Sequence, residues 1–478
     1  MTEAPPPTTA PAWQAPPAPQ GPTGATATGG IGAVPAAGGT LRVALSGLTT
    51  RGRSFLAAGV AAAVCSYVLG QSDLLRVGLL LAVLPLVCTL VLYRTRHRVA
   101  SNRRLSPERV PAGTEARVEL GVDNVSRLPT GLLMLQDRVP YVLGPRPRFV
   151  LDRVEPGGRR EVSYRVRSDL RGRYPLGPLQ LRLTDPFGMC ELTRSFLTHD
   201  TLTVVPRVEP LPRVQLSGEA RGHGDGRQRS LALAGEDDVV PRGYRYGDDL
   251  RRVHWRSTAR YGELMVRREE QPQRARCTVL LDTRSVGFEG GGPGSAFEWA
   301  VSGAASALVH MIQQGFSVRL LTDTGASVPA EGSDGFSGAG PESADAAGLM
   351  MDTLAVVDHS DGTDLSPAYA LLRTGTERLL VAFLGDMTEE QAAVVVKMRR
   401  RSGAAVAFLL DPATWSSAAP AGTAPSAVCQ ARLRQLREAG WTALAVPFGA
   451  KVADMWQQAD RMRASEATSS AGATEDWS

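Results

Sequence analysis

The sequence predicts an α/β protein in three parts: a two-helix transmembrane hairpin, a small β-sandwich, and a doubly wound sheet with helices on both faces. Three observations predict it. Two apolar runs, residues 55–70 and 74–93, are separated only by Gln71-Ser72-Asp73. Between residues 105 and 206 apolar and polar side chains alternate with period two. After Arg276 short apolar strands alternate with helical periodicities. At 478 residues the chain has room for two or three folded units.

The second apolar run is 20 residues long and the first 16. A bilayer core of about 30 Å takes about 20 residues of helix, so the first run spans only if its flanks snorkel or the bilayer thins. Arg51 and Arg53 precede the pair, Arg76 lies near one end of the second run, and Arg94, Arg96, Arg98, Arg103 and Arg104 follow. The positive-inside rule then puts both flanks in the cytoplasm and the short turn outside. The expectation is a multi-pass protein of the cell membrane, embedded in the lipid bilayer with both termini cytoplasmic. Residues 1–50 read as a disordered Pro/Ala/Gly-rich tail, and Glu3 is the only charge among the first 40. So long an uncharged lead also argues against a secretory signal, whose charged start sits close to its apolar core.

Composition narrows the function. The net charge of +5 suggests nucleic acid, yet residues 51–104 alone hold eight arginines against Asp73, which leaves the rest of the chain slightly acidic. The basicity belongs to a membrane collar, so no nucleic-acid partner is expected. Neither of the two lysines, Lys397 and Lys451, follows a glycine, which excludes a Walker-type phosphate loop. The five cysteines lack CxxC spacing, as suits a reducing compartment without structural zinc.

In the sandwich, expected over 105–206, Glu161-Val162-Ser163-Tyr164-Arg165 and Leu179-Gln180-Leu181-Arg182-Leu183 read as strands and Pro156-Gly157-Gly158 as a turn. Asp185-Pro186-Phe187-Gly188 reads as a type I turn rather than a site. Residues 211–234 read as a linker. In the doubly wound unit, expected over 276–463, strands are read at 278–281, 318–321, 379–384, 404–410 and 441–446. Helices are read around Phe297, Ala300, Val301, Ala304 and Leu308, and over 389–400. Residues 325–348 and 413–427 read as surface excursions, and 464–478 as a disordered tail.

The segment over 235–275 is the most distinctive. Between Arg242 and Glu270 it sets eight arginines among Tyr244, Tyr246, Trp255 and several acids. Its spacing, Arg242-x-Tyr244, Gly247-Asp248, Arg251, Trp255, Ala259-Arg260, Leu264, Val266 and Glu269, resembles the signature of the bacterial family called domain of unknown function 58. The run from Gly172 to Met189 adds to the resemblance. It implies a membrane-anchored protein with a von Willebrand factor A-like domain, and a MoxR-type AAA+ ATPase as protein partner. It supplies no reaction and no small-molecule substrate. Arg242, Tyr244, Gly247, Asp248, Arg251, Trp255, Arg260 and Glu269 are therefore candidates either for recognition of a protein partner or for stapling the sheet to the sandwich through ion pairs and guanidinium stacking.

In such a domain Asp282, Thr363 in Gly362-Thr363-Asp364-Leu365, and Asp386 fall where a metal-ion-dependent adhesion site places its ligands. Magnesium wants several oxygen ligands at about 2.0–2.1 Å. The usual Asp-x-Ser-x-Ser loop, however, reads Asp282-Thr283-Arg284-Ser285-Val286. Both serines are lost, and Arg284 brings a positive charge to the ion's place, where it would pair with Asp282 or Asp386 instead. This is a degenerate site. His254 lacks a nucleophile, Gly235-Glu236-Asp237-Asp238 reads as a solvated run, and the glycines of 222–226 open no helix. No catalytic residue is expected. The functional expectation is a membrane-anchored cytoplasmic scaffold or protein-binding module working with a MoxR-type ATPase. The competing reading is a divalent-metal hydrolase using Asp282, Thr363 and Asp386.

Overall fold

The computed structural model describes residues 47–96, 99–127, 129–130, 132–185, 187–213, 241–244, 253, 255–267, 275–328, 341–373, 375, 377–416 and 423–475. Helix α1 (Thr50–Leu69) starts where the Thr49 hydroxyl accepts the Gly52 amide at 3.3 Å, and it stops at Gly70, whose φ of 67° suits a residue without a side chain. Arg51 and Arg53 thus lie in its first turn, and the helix begins five residues earlier than the apolar run alone indicates. Helix α2 (Ser72–Arg96) likewise carries Arg94 and Arg96. The two helices meet at glycine. A Cβ on Gly59 would lie 2.6 Å from the Ala82 nitrogen, and one on Gly78 2.9 Å from the Gly59 carbonyl. Both helices are long and apolar enough to cross a membrane, and less than a quarter of either span is buried in the protein. Val64, Leu79, Leu80 and Leu90 face outward, as suits association with lipid.

The next unit is built of strands around one core, all paired antiparallel except β2 (Arg109–Pro111) with β10 (Asp200–Val205), which run parallel. Strands β1 (Val99–Ser106), β3 (Glu115–Asn124) and β6 (Arg159–Arg167) form one sheet with β3 central. The others are β2 (Arg109–Pro111), β4 (Leu132–Asp137), β5 (Arg148–Leu151), β7 (Gly172–Leu176), β8 (Leu179–Thr184), β9 (Glu191–Phe196) and β10 (Asp200–Val205). They pair in the orders β5-β4-β8-β9 and β2-β10-β7. Alternation along β3 buries Ala116, Val118, Leu120 and Val122, which pack with Leu133, Leu135, Leu181 and Leu202. A charged network lies inside: Arg103 clasps Asp137 at 2.6 Å, Tyr164 donates to the same carboxylate at 2.7 Å, and Arg103 also donates to the Leu176 carbonyl. Every partner is satisfied, so this network orders the unit.

Residues after β10 do not hang free as a linker from the outset. Val208 and Leu211 pack on the core of the following domain, and the Glu209 amide donates to the Ser306 hydroxyl at 2.9 Å. Residues 214–240 lie outside the described set, and with them the 222–226 glycines and the 235–238 acids. Strand β11 (Pro241–Gly243) pairs with β12 (Met265–Arg267) around helix α3 (Trp255–Tyr261).

The large sheet contains β13 (Arg276–Leu281), β14 (Ser317–Thr322), β15 (Ser327–Val328), β16 (Glu377–Leu384), β17 (Ser402–Leu409) and β18 (Thr442–Ala445) in the order β15-β14-β13-β16-β17-β18. All are parallel except β15. Helices α4 (Ala296–Gln313), α5 (Pro341–Val356) and α10 (Val452–Glu475) cover one face. Helices α6 (Ser366–Arg373), α7 (Glu389–Arg399) and α9 (Ala427–Glu438) cover the other, and the short α8 (Pro412–Trp415) buries Trp415. Strands buried on both faces are near-continuous apolar runs, as parallel sheets require. The sheet is doubly wound with its switch point at β13, so a crevice forms at the carboxyl ends of β13, β14 and β16.

Three segments differ from expectation, the first being 413–427, where Thr414 and Trp415 are buried and the Trp415 indole donates to the Val446 carbonyl at 2.9 Å instead of lying on a surface excursion. The stretch 325–348 is not all excursion: β15 pairs with β14, and from Pro341 the chain enters α5, whose Met350 and Leu354 join the core of the large sheet with Met351 packed beside them. The tail after Arg463 continues as α10 to Glu475, because Ala, Ser and Glu there sustain a helix already anchored by Met455 and Trp456.

Candidate functional site

Three loops meet at the crevice. After β13 the chain turns through Asp282-Thr283-Arg284 into a 3₁₀ turn over Ser285–Gly287. The loop before α6 lies alongside it, with the Ser285 amide on the Ser360 carbonyl at 3.0 Å and the Ser360 amide on the Thr283 carbonyl at 2.6 Å. The loop after β16 closes from the other side: the Asp386 amide donates to the Gly287 carbonyl at 2.8 Å. That approach needs glycine, since a Cβ on Gly385 would stand 2.3 Å from the Gly287 carbonyl oxygen.

At the centre lies a guanidinium. Arg284 Nε donates to Asp282 Oδ1 at 2.9 Å and Nη2 to Oδ2 at 2.7 Å, with both side chains fully buried. Nη2 also donates to the Asp386 carbonyl at 3.1 Å, while the Gly385 amide binds Asp282 Oδ2 at 3.0 Å. Asp323, one residue past β14, is buried and accepts from the Thr283 amide at 2.8 Å and the Ser360 hydroxyl at 2.7 Å. Burial opposes charge on Arg284. Its hydrogen bonds to Asp282, with the fields of Asp282, Asp323 and Asp386, outweigh that and hold its pKa above the ordinary arginine value.

The structure therefore joins Asp282 and Asp386, but through Arg284 and a main-chain carbonyl. Thr363 stands exposed on the rim, where its carbonyl accepts from Gln391 at 2.5 Å. Among the described residues no group of three or more His, Cys, Asp or Glu side chains converges so as to hold a metal ion. An ion at Asp282 would have to displace the guanidinium. Sequence reasoning missed Asp323 and Ser360, which belong to the site only because β14 neighbours β13 and the 358–362 loop returns beside it.

Around this buried pair the surface is acidic: Glu289, Asp358, Asp361, Asp364, Asp386 and Glu389 are exposed on the rim. Behind it the sandwich is locked on by Arg171. Its Nε donates to the Leu354 carbonyl at 2.9 Å, its other nitrogens bind Glu298 and the Val357 carbonyl, and the guanidinium lies 5.2 Å from the centre of the Phe297 ring. Phe297 in turn stacks on His359 at 4.0 Å, next to Ser360.

The signature segment is described in part. The Arg242 backbone pairs with Val266 in the β11–β12 hairpin, and the Tyr244 amide donates to the Leu264 carbonyl at 2.7 Å. Trp255 opens α3 and is 70% exposed, Tyr261 closes it at 64%, and Arg260 is exposed beside them. Gly247, Asp248, Arg251, His254 and Glu269 lie outside the described residues.

Two candidate membrane-spanning helices, which point to membrane association, are followed by an α/β domain with a carboxylate-lined sheet edge. Residues 241–401 match the family model described as protein of unknown function DUF58, so the chain carries the domain to which its signature segment points. It is 28% identical over 265 residues to the uncharacterized protein YeaD of Bacillus subtilis (strain 168), a match that covers 53% of this chain and 64% of YeaD. The chain thus spans just under two thirds of that curated relative. Among solved structures it is similar to a CARDB domain from Pyrococcus furiosus (11% identity, 22% of this chain and 87% of that one, TM-score 0.17). It is similar also to the putative ApaA protein of Bordetella pertussis (11%, 22% and 91%, TM-score 0.18). At those scores neither likeness bears on fold or function.

Proposed function

We propose that this protein is a membrane-anchored, protein-binding module whose large domain is von Willebrand factor A-like and whose cytoplasmic partner is a MoxR-type AAA+ ATPase. The observation that carries the reading is the Arg284–Asp282 pair. A sheet edge of this kind is a natural place for a bound cation, and here the chain supplies its own. Its acceptor oxygens are already committed, so the edge is a rigid rim for contact rather than a centre for chemistry. The rim is acidic and suits a partner face rich in arginine or lysine, which would gain on-rate and register from it. The exposed Trp255 and Tyr261 on α3 offer the aromatic anchors common in interface centres. The ATPase class comes from the family resemblance, and the arginine collar supports the cytoplasmic side.

Affinity capture of the full chain from crosslinked membranes tests the reading. It should recover an AAA+ ATPase, and the pair Asp361→Lys and Asp364→Lys should weaken recovery while leaving the fold intact. Recovery of no ATPase with the unaltered chain would remove the proposal.

A further inference from the structure

The turn at 185–188 has a role that its sequence does not announce. Asp185 accepts from the Phe187 and Cys190 amides at 3.1 and 2.6 Å, which fixes the loop, and the loop is then clasped by the start of α1. The Thr49 amide donates to the Met189 carbonyl at 2.9 Å, the Thr49 hydroxyl to the Gly188 carbonyl at 2.7 Å, and the Glu191 amide to the Gly47 carbonyl at 2.8 Å. Leu48 bridges to Cys190, and a Cβ on Gly52 would lie 2.2 Å from the Met189 carbonyl oxygen. The turn therefore stands at the level where the apolar hairpin begins. On it Phe187 is 59% exposed, and Arg51 reaches over Gly188.

Beside this junction a groove of about 600 Å³ runs along α1, walled by Leu48, Leu56, Ala57, Val60 and Ala61, with Arg53 at the end nearest the turn. From Arg53 to Ala61 it extends about 12 Å at ~1.5 Å per residue. Among the described residues no carboxylate pairs with Arg51 or Arg53. The arrangement is amphiphilic in one direction only: Arg53 stands at the mouth of the groove, with the exposed Arg51 over Gly188 and the exposed Phe187 on the adjoining turn, and beyond them the wall is aliphatic. A zwitterionic headgroup would meet the arginines with its own cation, whereas an anionic one meets them with net opposite charge.

We propose that this junction is a binding site for one anionic glycerophospholipid, its phosphate against Arg51 and Arg53, its acyl chain along the groove, and Phe187 seated in the interfacial layer beside it. The proposal rests on the reading of the hairpin as membrane-embedded.

The full chain would be reconstituted into phosphatidylcholine vesicles containing a phosphatidylglycerol probe with a photoactivatable group on its acyl chain. Flotation and crosslinking are then read separately. The expected result is labelling concentrated within residues 48–61, displaced by unlabelled phosphatidylglycerol and not by phosphatidylcholine. Arg51→Gln with Arg53→Gln should weaken it roughly 30-fold, from two interfacial arginines. Ala57→Trp, which fills the groove from an exposed position, should abolish labelling while the protein still floats. Labelling spread over both helices and indifferent to headgroup, in a protein that floats, overturns the site alone. A protein that does not float overturns the membrane reading and the site with it.

Discussion

Arg284 and Asp282 meet side-on through two hydrogen bonds of 2.9 and 2.7 Å, both side chains sealed from solvent at the carboxyl edge of the sheet. Two residues apart in sequence, they meet where the strand has already ended. The chain leaves β13 at Asp282, and the Arg284 amide also caps the same carboxylate at 3.1 Å. The pair is thus part of the turn that forms the crevice.

Removing one member leaves the other as an uncompensated buried charge. Arg284→Ala should lower the free energy of unfolding by about 3–5 kcal/mol, whereas Arg284→Met combined with Asp282→Asn, whose amide oxygen can still accept from the main-chain amides, should cost less. Denaturant titration of the detergent-solubilised chain reads both, and equal losses in the two variants would contradict the finding.

Arg284 and Val286 occupy the serine positions of the Asp-x-Ser-x-Ser pattern expected of a metal-ion-dependent adhesion site. Arg284→Ser with Val286→Ser restores the Asp-x-Ser-x-Ser pattern and vacates the space among Asp282, Asp323 and Asp386. Millimolar magnesium or manganese should then raise the Tm of this variant and leave that of the unaltered chain where it was. A metal-dependent shift in the unaltered chain would show that the guanidinium yields to an ion.

Arg171 makes the sandwich and the sheet one mechanical unit. It satisfies carbonyls at the end of α5 and pairs with Glu298 on α4, while Arg109 and Asp352 add an outer ion pair at 2.7 Å. Arg171→Ala should cost about 2 kcal/mol, the middle of the range for a partly buried charged group with several acceptors. It should also raise amide exchange at 354–360 ahead of the rest of the domain. Arg109→Ala, exposed and screened, should cost under about 1 kcal/mol.

Much of this frame was legible because physics writes it repetitively. The parallel strands announce themselves as apolar runs, since both faces are covered, and α4 by Phe297, Ala300, Val301, Ala304 and Leu308 on one stripe. The two apolar helices were legible from the length of their runs. The core of the edge site was half legible: the loss of the loop serines pointed to Arg284, and its pairing with Asp282 follows. Asp323 and Ser360 were not, because an isolated Asp after a strand and a Ser in a loop carry no periodicity, and only the adjacency of β13, β14 and the returning loop gives them a role. Arg171 was invisible for a related reason, one arginine in a chain full of them, distinguished only by what lies across the domain boundary.

The far end of the domain carries a pH dependence whose sign follows from burial. His310, near the end of α4, is 5% exposed and sets its ring 5.8 Å from that of Trp456, at 78°. Burial, with the charge of Arg213 adding to it, pushes the imidazole pKa below its ordinary value of about 6.5. The folded state therefore binds fewer protons than the unfolded state once pH falls under that ordinary value. Stability at neutral pH is unaffected by the group, declines as pH drops below about 6.5, and levels off beneath the lowered folded value. His310→Phe keeps an aromatic ring against Trp456 and has no proton to take up. The loss of urea resistance between pH 7.5 and pH 5 should therefore be smaller in this variant than in the unaltered chain, with the two curves differing most at the acid end. Parallel curves would place the acid sensitivity elsewhere and show that protonated His310 finds a partner in the fold.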